Sequence, residues 1–121
     1  KLPEIVERVA KNTGAAYRCQ AEVEYNMMTE VLMNDPECVA LARRAAEKIV
    51  EDPSLLREAE PMMGGEDFAE YTVLAKSAFA SVGAGGDYPQ HSDRVYFDEN
   101  SFVTGASLYA QVAYDYLNGQ E

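Results

Sequence analysis

Residues 17–25 constrain the fold more than any other stretch of the chain. Tyr17, Cys19, Ala21, Val23 and Tyr25 alternate with Arg18, Gln20, Glu22 and Glu24, a period of two that separates an apolar face from a wet one. This pattern predicts a half-buried β-strand in an antiparallel or edge position, since a fully buried parallel strand would not alternate. Taken with the helical patterns on either side, it gives an expected fold class of α/β, in a mixed α+β arrangement.

Before this segment, Ile5, Val6, Val9 and Ala10 share one stripe over residues 3–12. Pro3 suits a first helical turn, and Gly14 is expected to close the helix in a left-handed cap. Residues 26–34 read as a connector. At Asn34-Asp35-Pro36-Glu37 a second helix starts, with Asp35 as N-cap, Pro36 in the first turn and Glu37 complementing the dipole. Cys38, Ala42, Ala45 and Ile49 form its inner face, and Pro53 stops it. A short strand is expected near Leu55, a third helix from about Glu66 to Ala75, and a buried strand over residues 78–82. A polar, glycine-rich loop follows at 83–94. The last helix places Phe102, Ala106, Tyr109, Ala113 and Tyr116 at helical spacing.

At 121 residues the chain is long enough to bury a core, and no apolar run approaches the roughly 20 residues of a membrane span. The net charge is −11. Residues 61–121 hold two basic and nine acidic side chains, so nothing supplies the clustered cations that nucleic acid or an anionic membrane requires. Cys19 and Cys38 read as reduced packing residues, which suits a cytoplasmic location. Lys1 leads almost directly into a helix, as a segment of a longer polypeptide or a processed or tagged chain would.

Two segments carry candidate chemistry. In Pro61-Met62-Met63-Gly64-Gly65-Glu66-Asp67-Phe68, the residues Gly64, Gly65, Glu66 and Asp67 form either a tight turn feeding a helix or a backbone-lined anion site. Neighbouring carboxylates on a helix diverge by about 100°, so Glu66 and Asp67 do not make an acid/base pair. The second segment is Gly83-Ala84-Gly85-Gly86-Asp87-Tyr88-Pro89-Gln90-His91-Ser92, followed by Phe97-Asp98-Glu99. Its glycines lack the lysine of a phosphate loop. His91 is the sole histidine: either a solvated loop side chain or a metal ligand that needs two or three partners.

The two segments in this order, with the apolar run into Val82-Gly83-Ala84-Gly85 between them and an Ala- and Tyr-rich helix after them, resemble the C-terminus of the zinc aminoacylase/carboxypeptidase superfamily. The likeness is to the amidohydrolase branch of hippurate, N-acyl-amino-acid and indole-acetyl-amino-acid hydrolases. Ala75-Lys76-Ser77-Ala78 stands where that branch often has Pro-Gly.

The resemblance implies a co-catalytic hydrolase domain holding two zinc or manganese ions, interrupted by a smaller lid domain that often dimerises. Residues 1–33 then correspond to the last helix and strand of the lid, and residues 34–121 to the C-terminal part of the catalytic domain. His91 matches the last metal ligand, and Gly64, Gly65, Glu66 and Asp67 match the loop that approaches the substrate. Asp98 and Glu99 match a structural element before the last helix. The general base lies in the family's N-terminal half, which has no counterpart here, so no catalytic residue is expected in this chain. The implied reaction is hydrolysis of N-acyl amino acids or small peptides by metal-activated water. A non-catalytic oligomerisation or binding module, pairing through residues 17–25, is the alternative from another class.

Overall fold

The computed structural model describes residues 1–119. Helix α1 spans Leu2–Ala16, with a proline in its first turn, where a missing amide leaves no intrahelical bond unmade. The helix runs through Gly14 instead of ending on it. A Cβ at that position would stand 3.2 Å from both the Ala21 Cβ and the Cys19 carbonyl oxygen, so Gly14 serves close approach and not a cap. The cap falls on Arg18, at φ 58°. Its amide donates to the Ala15 carbonyl at 3.0 Å, and the Cys19 amide donates to the Gly14 carbonyl at 2.8 Å. These are the two bonds of a Schellman closure, with arginine where glycine is usual.

Helix α2, Pro36–Ile49, begins as its sequence demands. The Asp35 carboxylate accepts the amides of Glu37 and Cys38 at 2.9 and 3.1 Å, satisfying two donors that the first turn leaves without partners. A 3-10 turn at Pro53–Leu55, capped by Asp52 on the Ser54 amide, occupies the place expected for a short strand. Helix α3 is a single turn, Ala69–Thr72, introduced by i→i+3 bonds from Ala69, Glu70 and Tyr71 back to Glu66, Asp67 and Phe68. Helix α4 spans Asn100–Leu117. Asp98 organises its start: one carboxylate oxygen accepts both the backbone amide and the side-chain amide of Asn100, and the Asp98 carbonyl accepts the Ser101 hydroxyl.

The expected α/β (mixed α+β) class is not what forms. Among the described residues the regular structure is all helical, and neither residues 17–25 nor residues 78–82 is a strand. Alternation decides which side chains would share a face, but a strand exists only as a ladder of hydrogen bonds to a neighbour. No such ladder forms within the described chain. Tyr17 and Arg18, at the head of the alternating run, are taken up by the closing turn of α1.

The chain divides into two compact units, Lys1–Glu30 and Val31–Glu121. In the second, α2 packs on α4. The buried apolar residues among those described are Ala45, Ala46 and Ala69, far short of the core that the length allows. Cys19 is exposed, against the expectation of packing, and Cys38 is half-buried.

The apolar stripe expected to seat α4 instead faces outward: Phe102, Tyr109 and Tyr116 are exposed, Tyr109 at 83%. The inward face is one residue away, through Gly105, Leu108, Val112 and the fully buried Asp115. Asp115, 1% exposed, lies on that inward face, about 100° around the helix from the aromatic stripe. Its Oδ1 accepts the Lys48 ammonium of α2 at 2.7 Å and the Gln111 amide at 2.9 Å, so a charged pair, not the aromatic stripe, meets the partner helix. The Lys48 bond, over the opposing effect of burial, holds the Asp115 carboxyl below the usual carboxylate range.

Candidate functional site

One segment without regular structure, residues 77–86, anchors both of the chemistry-bearing stretches. At its start the Asp35 amide donates to the Ser77 carbonyl at 2.9 Å. The Asn34 side chain brackets Phe79, accepting its amide at 2.8 Å and donating to its carbonyl at 3.4 Å, as a neighbouring backbone would. The Phe79 ring lies 5.6 Å from the Phe68 ring, which stacks on Tyr71 at 5.4 Å; such spacing is that of attractive aromatic pairs. The loop of Gly64, Gly65, Glu66 and Asp67 is thereby tied through Phe68 to residue 79.

Within that loop Glu66 turns inward. Its Oε1 accepts the Phe68 amide at 3.1 Å, so a carboxylate of the chain already occupies the amide that an anion would seek. The α3 turn behind it is too short to add a useful dipole. Gly64 has open space where a side chain would go, which leaves its backbone approachable.

At the other end of the segment, the loop carrying His91 is cinched in rungs. The Asp98 amide donates to the Ala84 carbonyl at 2.7 Å. Gly86 lies so close to Tyr96 that a Cβ would meet the Tyr96 carbonyl oxygen at 2.6 Å. The Arg94 guanidinium sits 5.8 Å from the centre of the Tyr88 ring. The pairs 84/98, 86/96 and 88/94 step by two residues on each arm, and His91 is the midpoint of all three. It stands at the apex in a left-handed conformation, φ 67°, uncommon for a residue other than glycine. Ser92 closes the turns beside it: its amide donates to the Pro89 carbonyl at 3.2 Å, its hydroxyl accepts the Arg94 amide at 3.1 Å, and its carbonyl accepts the Val95 amide at 3.2 Å.

His91 is exposed and has no hydrogen bond or ion pair among the described residues. An imidazole so placed has both ring nitrogens available. The described residues contain no group of three or more His, Cys, Asp and Glu side chains able to hold a metal ion. His91 therefore fits a single ligand position, and the described residues do not complete a metal site by themselves. No hydrogen bond or ion pair among them joins His91 to Gly64, Gly65, Glu66 or Asp67. A shallow apolar groove beside α4, lined by Val82, Phe97, Phe102 and Tyr109, includes Gln90 but not His91.

The sequence profile of peptidase family M20/M25/M40 matches residues 3–115. The chain belongs to this family. Among curated proteins it is 30% identical to a probable hydrolase of Synechocystis over 96% of the chain and 31% of that relative. It is 25% identical to a hippurate hydrolase of Campylobacter jejuni over 94% of the chain and 30% of the relative. It is 29% identical to an N-acetyl-L-cysteine deacetylase of Bacillus subtilis over 93% of the chain and 26% of the relative. The chain thus spans about a third or less of the length of these M20/M25/M40 relatives. No solved structure matches it. No helix among the described residues is long and apolar enough to cross a membrane.

The sequence points to His91 and to the Gly64 loop, but not to Tyr88, Arg94 or Asn34 as the residues that hold them. The spacing of Tyr88 and Arg94, three residues to either side of His91, was the available signal. It becomes meaningful only once the arms of the loop are known to face each other.

Proposed function

We propose that this chain contributes His91 as one metal ligand, and Gly64, Gly65, Glu66 and Asp67 as a substrate-facing loop, to a metal-dependent amidohydrolase. Its substrates are N-acyl amino acids or small peptides, as the names of the hippurate hydrolase and deacetylase relatives suggest. Two ions, zinc or manganese, belong to this reading; when bound, such ions lower the pKa of a coordinated water and polarise the scissile carbonyl. The remaining ligands and the general base come from residues outside this segment. Residues 1–33 serve as part of a lid domain through which the protein forms homodimers, residues 34–121 as part of the catalytic domain, and the enzyme works in the cytoplasm.

The observation that carries the reading is the family match across residues 3–115, with an unpartnered, exposed imidazole at the apex of a braced loop. What this chain's own residues do is positional. The rungs below His91 align the arms of its loop, and the Glu66–Phe68 hydrogen bond together with the Phe68–Phe79 contact ties the Glu66 end of the Gly64 loop to residue 79. Metal analysis of the encoded protein, with hydrolysis of hippurate and other N-acyl amino acids, tests the reading. Bound divalent metal and turnover, both lost in His91→Ala, are the expected result. A protein that binds no such metal and cleaves no such amide would sink it in favour of a non-catalytic binding or oligomerisation module.

A further inference from the structure

Among the rungs of the 84–98 loop, only the one nearest His91 is made by side chains. We infer that Arg94 and Tyr88 are positioning residues for His91, an inference that rests on the reading of His91 as a metal ligand. The two lower rungs are backbone contacts, between Asp98 and Ala84 and between Gly86 and Tyr96, and they align the arms without reaching the apex. From Tyr88 to Arg94 the arms are bridged by the guanidinium over the ring. That contact encloses the Pro89–Ser92 turn and the left-handed His91 residue.

A left-handed residue other than glycine persists only where its surroundings over-determine it. At His91 those surroundings are the Ser92 turns and the Arg94–Tyr88 bridge. Without the bridge, the seven residues 88–94 keep only the local turn bonds, and the imidazole samples more directions relative to any ion. A ligand that must be ordered on binding binds more weakly than one already in place. The effect is modest because the bridge is exposed: a cation over a ring at such a site corresponds to about a two- to fivefold change in affinity.

The test is Zn2+ and Mn2+ affinity of the metal-stripped encoded protein, by calorimetric titration, with melting temperature followed in parallel. The variants are Arg94→Ala, Tyr88→Leu, the two combined, Tyr88→Phe and His91→Ala. Each single variant is expected to weaken affinity about two- to fivefold, and the double variant no further than either alone, since both remove the same contact. Tyr88→Phe, which keeps the ring, is expected to bind as the unsubstituted protein does. Arg94→Gln, which keeps the stem, repeats the test if Arg94→Ala lowers the melting temperature. Affinities unchanged in the Arg94 and Tyr88 variants but reduced in His91→Ala would overturn the positioning role while leaving His91 a ligand. Losses that multiply in the double variant would overturn it too, by showing that the residues act separately. A His91→Ala protein with unchanged affinity would remove both this inference and the reading beneath it.

Discussion

Gly86→Ala offers the sharpest test of how the His91 loop is built. Gly86 has φ +88°, and an added Cβ would stand 2.6 Å from the Tyr96 carbonyl oxygen. Two costs combine. The backbone conformation alone costs a residue with a Cβ about 1–3 kcal/mol. Relieving the contact requires the two arms to part on the order of 1 Å, towards the roughly 3.5 Å at which non-bonded atoms attract, at a further 1–3 kcal/mol typical of overpacking. The expected destabilisation is therefore about 2–6 kcal/mol. Two neighbours calibrate it. Gly85 also lies at positive φ, +66°, but a Cβ there would meet only the Asp98 Cβ, at an ordinary 3.7 Å, so Gly85→Ala carries the conformational cost alone, about 1–2 kcal/mol. Gly83 has nothing within 4 Å, and Gly83→Ala is expected to lie within about 0.5 kcal/mol of neutral. Urea denaturation of the encoded protein, followed by circular dichroism with m-values compared, yields the three numbers. A Gly86→Ala variant no less stable than Gly85→Ala would refute the close approach of residues 86 and 96, and with it the rung arrangement.

Arg18→Gly is expected to stabilise the end of α1 by about 0.5–1 kcal/mol, since Arg18 holds a left-handed cap that glycine adopts at no steric cost. Slower hydrogen exchange of the Cys19 amide would report it, and faster exchange would count against the Schellman closure. The carboxyls of Asp115 and Asp35 lie below their ordinary range, held there chiefly by the Lys48 ammonium and the Cys38 amide respectively. A depressed folded-state pKa adds stability that is present above the unfolded value and lost as pH falls through the folded one. The urea midpoint should therefore drop on acidification through and below the usual aspartate range, and drop less steeply in Asp115→Asn. An identical acid slope in that variant would show that the Lys48 pair contributes nothing.

How far the site was legible depended on the range of the interactions involved. The sequence singles out His91 and the Gly64 loop as candidates, and their expected roles come only from the family resemblance. It does not single out their supports, because Asn34 with Phe79, Phe68 with Phe79 and Arg94 with Tyr88 are pairings that exist only when distant or reversed segments meet.

Local chemistry determined where α2 and α4 start, but not where α1 ends or how short α3 is. Asp35 followed by Pro36 starts α2 in the expected place, and the pattern after Asp98 starts α4, because capping and proline effects act within a few residues. Tertiary structure decided which face of a helix is buried and whether an alternating segment becomes a strand. The aromatic stripe of α4 was the apolar choice by hydropathy, yet the face that meets α2 is the one carrying Asp115 and its bond to Lys48. Residues 17–25 carry the pattern of a strand but lack a partner ladder among the described residues. Periodicity is a property of one segment, whereas a sheet or a buried face requires two.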